Sequence, residues 1–229
     1  DFYIRLPEEI PNLHLASIQA MNPLQTIWHA IRHVNRIPWR LVFAYLNPHS
    51  PVRRSDRNPH TSVALDRSRV YARDLEVPAG GGVGTARALA RAYGVFAAGG
   101  RELGLRQETL QALIAPAILP ARGFFDESLK LEWQLSLGFA KPSRIGLEFG
   151  SPSAFGMPGW GGALAFADPE VRAGYAYVTN RMGAAGTDPR EMAIRTAFHR
   201  ALKQRPSRVT AFVDSDQPRQ GEPTWEGEI

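Results

Sequence analysis

The clearest hydrophobic pattern in this chain lies near its end. Ile194, Ala197, Phe198, Ala201 and Leu202 recur at helical spacing, which predicts one apolar stripe packed against a sheet. Asp188 stands at the N-cap of that helix, Pro189 at its first position and Glu191 where a capping box requires an acid. Leu89, Ala92, Tyr93 and Phe96 predict a second amphipathic helix, entered through Thr85 and ended by Gly99-Gly100. A shorter helix is expected from Glu108 to Ala115, before Pro116, and Leu131 to Phe139 has the composition of a strand. From Phe155 to Glu170, glycines crowd one end, alternating apolar residues follow, and Asp168-Pro169 closes a turn. With Tyr175 to Gly183, this stretch reads as a glycine-rich strand, a turn, a second strand and then the last helix. Glycine weakens a strand, so such a run marks the close approach of a ligand or another backbone.

The first 75 residues are irregular, broken by seven prolines from Pro7 to Pro59. Leu24, Ile27, Trp28 and Ile31 predict a short helix over Leu24 to Val34, and a second apolar stretch, Trp39 to Leu46, stops at Asn47-Pro48. Arg53 to Arg73 is polar and reads as an exposed loop, of the length that serves as a lid or stays disordered. The organisation expected is one α+β unit over residues 1–204, with a helical and loop region (1–130) and then strands and a C-terminal helix (131–204). A polar tail follows over 205–229.

Composition narrows the function. A chain of 229 residues, 44% of them apolar, suits one sizeable domain or two small ones. Its net charge of +5 comes from scattered arginines, with Lys130, Lys141 and Lys203 the only lysines, and Asp56 and Asp66 interrupt the densest basic patches. Nucleic-acid binding calls for a basic face with reading elements, so nucleic acid is not an expected partner. The absence of cysteine excludes disulfides and thiolate metal sites within the chain. No apolar run approaches the ~20 residues that span a bilayer, and no signal pattern opens the chain; no membrane partner and a cytoplasmic location are expected. The start, Asp1-Phe2-Tyr3-Ile4-Arg5, carries no initiator Met, which suggests processing, a split gene or truncation.

Several motifs compete for the chemistry. Gly80-Gly81-Gly82-Val83-Gly84-Thr85 precedes a helix, as a phosphate-binding loop would, but Gly84 stands where a P-loop needs lysine. Asp74 to Pro78 is a poor strand for a dinucleotide fold. His29 and His33 share a helical face, yet Ala30 replaces the glutamate of a zinc protease, and no other cluster has ligand spacing; no metal is expected. A Gly-x-Ser-x-Gly elbow is absent.

Four ordered stretches carry a family likeness. Phe166-Ala167-Asp168-Pro169 and Tyr177-Val178-Thr179-Asn180-Arg181-Met182-Gly183 follow the glycine-rich strand, while Asp1 to Glu9 and Gly84 to Arg91 precede it. Together they resemble the C-terminal part of the serine β-lactamase and penicillin-binding-protein superfamily, in the esterase-like branch of family VIII carboxylesterases and class C β-lactamase relatives. There the third motif resembles Phe-Gly-His-x-Gly-x-Gly-Gly-Ser. The resemblance implies a β-lactamase/transpeptidase-like α+β fold and acyl transfer through a serine acyl-enzyme on a small ester or amide. No cofactor is implied. It also implies that the Gly80–Thr85 glycines are mostly structural.

The departures from the family are as informative. Met157 stands where the family carries Lys or His, and Pro158 follows it. In the alternative register Trp160-Gly161-Gly162 is the working triplet, and the sequence leaves both registers open. Met157, Pro158, Gly159, Gly161 and Gly162 are the expected wall of the substrate site. A backbone N–H survives side-chain replacement, so the resemblance places an oxyanion donor at Trp160, with Ala163 as second candidate. Trp39, Phe43 and Tyr45, together with Trp28, are candidates for an apolar acyl wall or for ordinary core. No Ser in the chain is followed three residues later by Lys, and the family's Tyr-x-Asn motif also lies upstream. An N-terminal β-lactamase-like polypeptide carrying Ser-x-x-Lys and Tyr is therefore the expected partner, without which the chain exposes a sheet edge. The competing reading is a catalytically silent binding or assembly subunit.

Overall fold

The computed structural model describes residues 1–20, 39–56, 73, 76, 80–143, 147–183 and 188–204. The expected helix over Leu24 to Val34, with Trp28, His29 and His33, and the tail from 205 lie outside these residues. In chain order come β1 (Phe2–Tyr3), a 3-10 turn at Asn12–His14, α1 (Trp39–Leu46), α2 (Pro51–Asp56) and β2 (Val83–Gly84). Next are α3 (Ala86–Ala97), α4 (Gln107–Ile114), β3 (Phe125–Asp126), β4 (Leu131–Glu132), β5 (Leu135–Ser136) and β6 (Phe139–Ala140). The chain continues through β7 (Phe155–Pro158), β8 (Leu164–Asp168), β9 (Ala173–Tyr177) and α5 (Pro189–Lys203). β5 to β9 form one antiparallel meander. The fold is the mixed α+β arrangement expected.

Alternation along the strands divides the sheet into two faces. On one, Phe155 and Ala167 pack with Ala97 of α3 and Leu113 of α4. The Phe155 ring meets Phe139 and Phe96 edge-on at 5.2 and 6.0 Å. On the other, Leu164, Phe166 and Tyr175 form a cluster with Leu147 and Phe149, covered by Phe198 of α5. Helix α3 lies on the sheet at glycine: a Cβ on Gly174 would stand 2.3 Å from both Ala90 O and Gly94 N. No side chain separates the two backbones there.

Local signals explain most of the elements. The Thr85 hydroxyl accepts from Ala88 N–H and caps α3. The Phe2 ring fills the space beside Gly82 and Gly84, where added Cβ atoms would meet it at 2.7 and 2.6 Å, and β1 pairs with β2. These two glycines serve packing.

Three expectations are corrected. Leu131 to Phe139 is not one strand: Leu137 and Gly138 have φ of +50° and +83° and make a two-residue hairpin turn between β5 and β6, a conformation that needs positive φ at both positions. The polar stretch after Arg53 is helical as far as Asp56, because the Ser50 hydroxyl accepts from Arg53 N–H and Pro51 opens the turn; the remainder of that stretch lies largely outside the described residues. In α5, Phe198 and Leu202 face inward as expected, whereas Ile194, Ala197 and Ala201 are exposed. The inward stripe begins instead at Glu191 and Arg195, joined at 3.0 Å. The Glu191 carboxylate is thereby committed to Arg195 rather than to a capping box. Tyr175 lies close enough to that carboxylate to feel its charge but outside normal hydrogen-bond geometry; burial, then Glu191, raise its pKa.

Lys141, directly after β6, is buried, donates from Nζ to Leu113 O in the last turn of α4, and stands 5.3 Å above the Phe155 ring. Burial lowers its pKa to about 8 from 10.5. The folded state therefore holds fewer protons than the unfolded one between those values, and stability rises with pH across that window. The urea midpoint of the purified protein should be higher at pH 9.5 than at pH 7.5. In Lys141→Met that rise should shrink.

Candidate active site

The loop joining β7 to β8 holds the residues singled out from sequence. Gly159 N–H donates to Ala163 O at 2.7 Å, and Gly162 N–H to Gly159 O at 3.3 Å. Gly161 and Gly162 have φ of +83° and +95°, a region open to glycine at no steric cost. Gly183 N–H donates to Gly161 O at 2.7 Å, tying the loop to the segment after β9. Two amides are therefore used inside the loop. Among the described residues, those of Trp160, Gly161 and Ala163 make no hydrogen bond. Gly161 is buried, Trp160 is 60% exposed and Ala163 is partly exposed. Trp160 and Ala163 therefore carry unpartnered amides on exposed and partly exposed residues.

Met157 and Pro158 end β7 opposite Ala165 and Leu164. Met157 is 36% exposed and shares the face of Phe155. Its thioether brings neither charge nor a titratable proton. Pro158 has no N–H, so β7 offers no donor at its last position.

The neighbouring acids have structural partners. Asp168 is buried and accepts from Ser151 N–H at 2.8 Å, Ser151 Oγ at 2.6 Å and Glu170 N–H at 3.2 Å. The Phe166 to Pro169 turn is thereby pinned to the 151–153 segment. Asp188 caps α5, accepting from Arg190 N–H at 2.9 Å, and pairs with the Arg190 guanidinium. Burial alone would raise its carboxyl, but hydrogen bonds from Arg190 and the guanidinium charge hold it below the ordinary 3.8.

Trp39, Phe43 and Tyr45 all lie on α1, with the Trp39 and Phe43 rings 6.5 Å apart. Phe43 lines an open hollow of about 660 Å³ together with Arg40, His49, Phe125 and Lys130, and no residue of 157–163 lines it. Sequence reading missed Arg190, Lys141 and Arg40, whose guanidinium lies 5.6 Å over the Phe125 ring. Among the described residues there is no cluster of three or more His, Asp or Glu able to hold a metal, and no helix long and apolar enough to cross a membrane.

A family model described as Beta-lactamase matches residues 43–197, more than half of the chain. Over 110 residues the chain is 34% identical to "Esterase/beta-lactamase LipL" of Mycobacterium tuberculosis (strain ATCC 25618 / H37Rv), covering 48% of this chain and 24% of that protein. Among solved structures, EstA from Arthrobacter nitroguajacolicus Rue61a superposes with a TM-score of 0.66 at 22% identity, covering 88% of this chain and 50% of that one. A family VIII carboxylesterase superposes with a TM-score of 0.62 at 25% identity, covering 87% and 47%. The chain thus spans about a quarter of that curated relative and about half of each solved chain.

Proposed function

Because this chain belongs to the beta-lactamase family, with its similarities running to esterase-like members, we propose that it forms the C-terminal wall of a serine hydrolase or acyltransferase site acting on a small ester or amide. The carrying observation is the 159–163 loop, where the Gly159 and Gly162 amides are used internally while those of Trp160 and Ala163, on exposed and partly exposed residues, make no hydrogen bond among the described residues. In this reading a serine hydroxyl attacks the substrate carbonyl, its proton passing to a neighbouring lysine or tyrosine that later returns it to the leaving alcohol or amine. The carbonyl π electrons move onto oxygen, and a loop amide stabilises that charge. Collapse of the intermediate expels the alcohol or amine and leaves the acyl-enzyme, which water or another acceptor then resolves.

The serine and its lysine and tyrosine partners come, in this proposal, from an N-terminal polypeptide segment outside these 229 residues. We take that segment to be a separate polypeptide and the assembly to be cytoplasmic. Two observations support an additional segment: the chain contains no Ser-x-x-Lys, and β9 has β8 on one side with no strand on the other among the described residues. An open strand edge is completed by another strand or aggregates.

The test is to purify the native assembly, measure intact masses, and assay it with a chromogenic short-chain ester, a β-lactam and a fluorophosphonate probe. Turnover with a labelled serine outside this chain is expected, and two masses are expected for the two-polypeptide form. Absence of both turnover and label would instead favour a silent binding subunit. Met157, without charge at the position where relatives carry Lys or His, is the observation on that side.

A further inference from the structure

Asp188 touches more than the helix it caps. Its Oδ1 accepts from Arg190 N–H at 2.9 Å and Arg190 Nε at 3.0 Å, and its Oδ2 accepts from Arg190 Nη2 at 2.5 Å. The same Oδ2 fills the space beside two glycines of the candidate site: a Cβ on Gly162 would lie 2.8 Å from it, and one on Gly183 only 1.7 Å. Arg190 Nη2 also donates to Arg181 O at 2.9 Å, while Gly183 N–H donates to Gly161 O. The carboxylate, 2% exposed, is therefore wedged between the donor loop and the 181–183 segment and held there by a guanidinium that also grips that segment.

We propose that Asp188 is a positioning residue for acyl transfer, setting the location of the Trp160 to Ala163 amides by wedging its carboxylate against Gly162 and Gly183. It touches neither substrate nor donor and acts through the loop backbone. This rests on the acyl-transfer reading above. A helix cap needs only a short acceptor, which serine supplies as well as aspartate. The wedge needs the full carboxylate and its guanidinium clamp. The two roles therefore separate by substitution. An oxyanion donor displaced by about 1 Å costs on the order of 10²-fold in rate.

The experiment uses the native assembly carrying Asp188→Ser. The helix cap persists, so the variant should still fold, with thermal stability lowered by the lost Arg190 pair. Turnover of a chromogenic ester should show kcat lowered about 10- to 100-fold with KM nearly unchanged. Should that variant fail to fold, Asp188→Asn keeps the volume and the cap but puts an amide donor against Arg190, and its kcat is read in the same way. A second readout needs no turnover: Gly183→Ala alone should be strongly destabilised by the clash with Oδ2, and Asp188→Ser should relieve much of that loss in the double variant. Undiminished kcat in the Asp188 variant beside an active wild type overturns the positioning role alone. Additive effects of Gly183→Ala and Asp188→Ser overturn the wedge itself. A wild-type assembly without ester turnover sinks the acyl-transfer reading, and the catalytic role of Asp188 goes with it, whatever the double variant shows.

Discussion

A proline placed at Trp160 in the native assembly is expected to lower kcat for ester turnover by about 10²- to 10³-fold, the cost of losing one oxyanion donor. KM should change little, because the ground-state carbonyl gains much less from that donor than the tetrahedral intermediate does. The substitution removes the N–H at issue. Gly159, the preceding residue, readily adopts the extended backbone that proline imposes on its predecessor. The internal contacts of the loop, from Gly159 to Ala163 and from Gly162 to Gly159, do not use the Trp160 amide. Ala163→Pro is the paired measurement, and the larger loss identifies the donor, which also selects the register of the glycine-rich motif. If both variants fold and both keep wild-type kcat, neither Trp160 nor Ala163 is the oxyanion donor.

Gly174→Ala should destabilise the protein by about 3 kcal/mol, the upper end of what overpacking usually costs. The added methyl would stand 2.3 Å from Ala90 O and Gly94 N, and backbone atoms of a helix interior cannot rotate away as a side chain can. Helix α3 would have to lift off β9. The facing glycine should behave oppositely. A Cβ on Gly94 would meet nothing nearer than Gly174 N at 4.0 Å, and alanine in a helix interior is favoured over glycine by up to about 1 kcal/mol. Urea midpoints of the two single variants should therefore move in opposite directions. Equal shifts would mean that the helix and strand do not meet as described.

How legible this was from sequence depended on the range of the interactions. Thr85 and Asp188 announced their helices because capping is local chemistry, written within a few residues. Ser50-Pro51 carried the same kind of signal for α2, but the arginines after it drew the reading toward an exposed loop. The inward face of α5 was misplaced because Glu191 and Arg195 are polar residues that satisfy each other under the sheet, and hydrophobic periodicity does not see such a pair. Between Leu131 and Phe139 the composition was right for strands, yet Leu137 at positive φ hid the hairpin, since leucine rarely takes that conformation. The glycine loop and its two candidate donors were singled out from motif likeness. What stayed hidden was contact across sequence: the Asp188 carboxylate reaching Gly162 and Gly183, and the Lys141 ammonium reaching Leu113. Neither leaves a periodic trace.

The meander from β5 to β9 also bears on how the protein folds. Each strand pairs with its neighbour in the chain between Leu135 and Tyr177, so these closures are short-range and add little to contact order. Such a unit can assemble on the ribosome before distant segments find it, with Phe155 and Phe166 each collapsing onto one of its faces. If the proposed N-terminal segment pairs with the open side of β9, its arrival is the expected slow step, and its rate depends on concentration where that segment is a separate molecule.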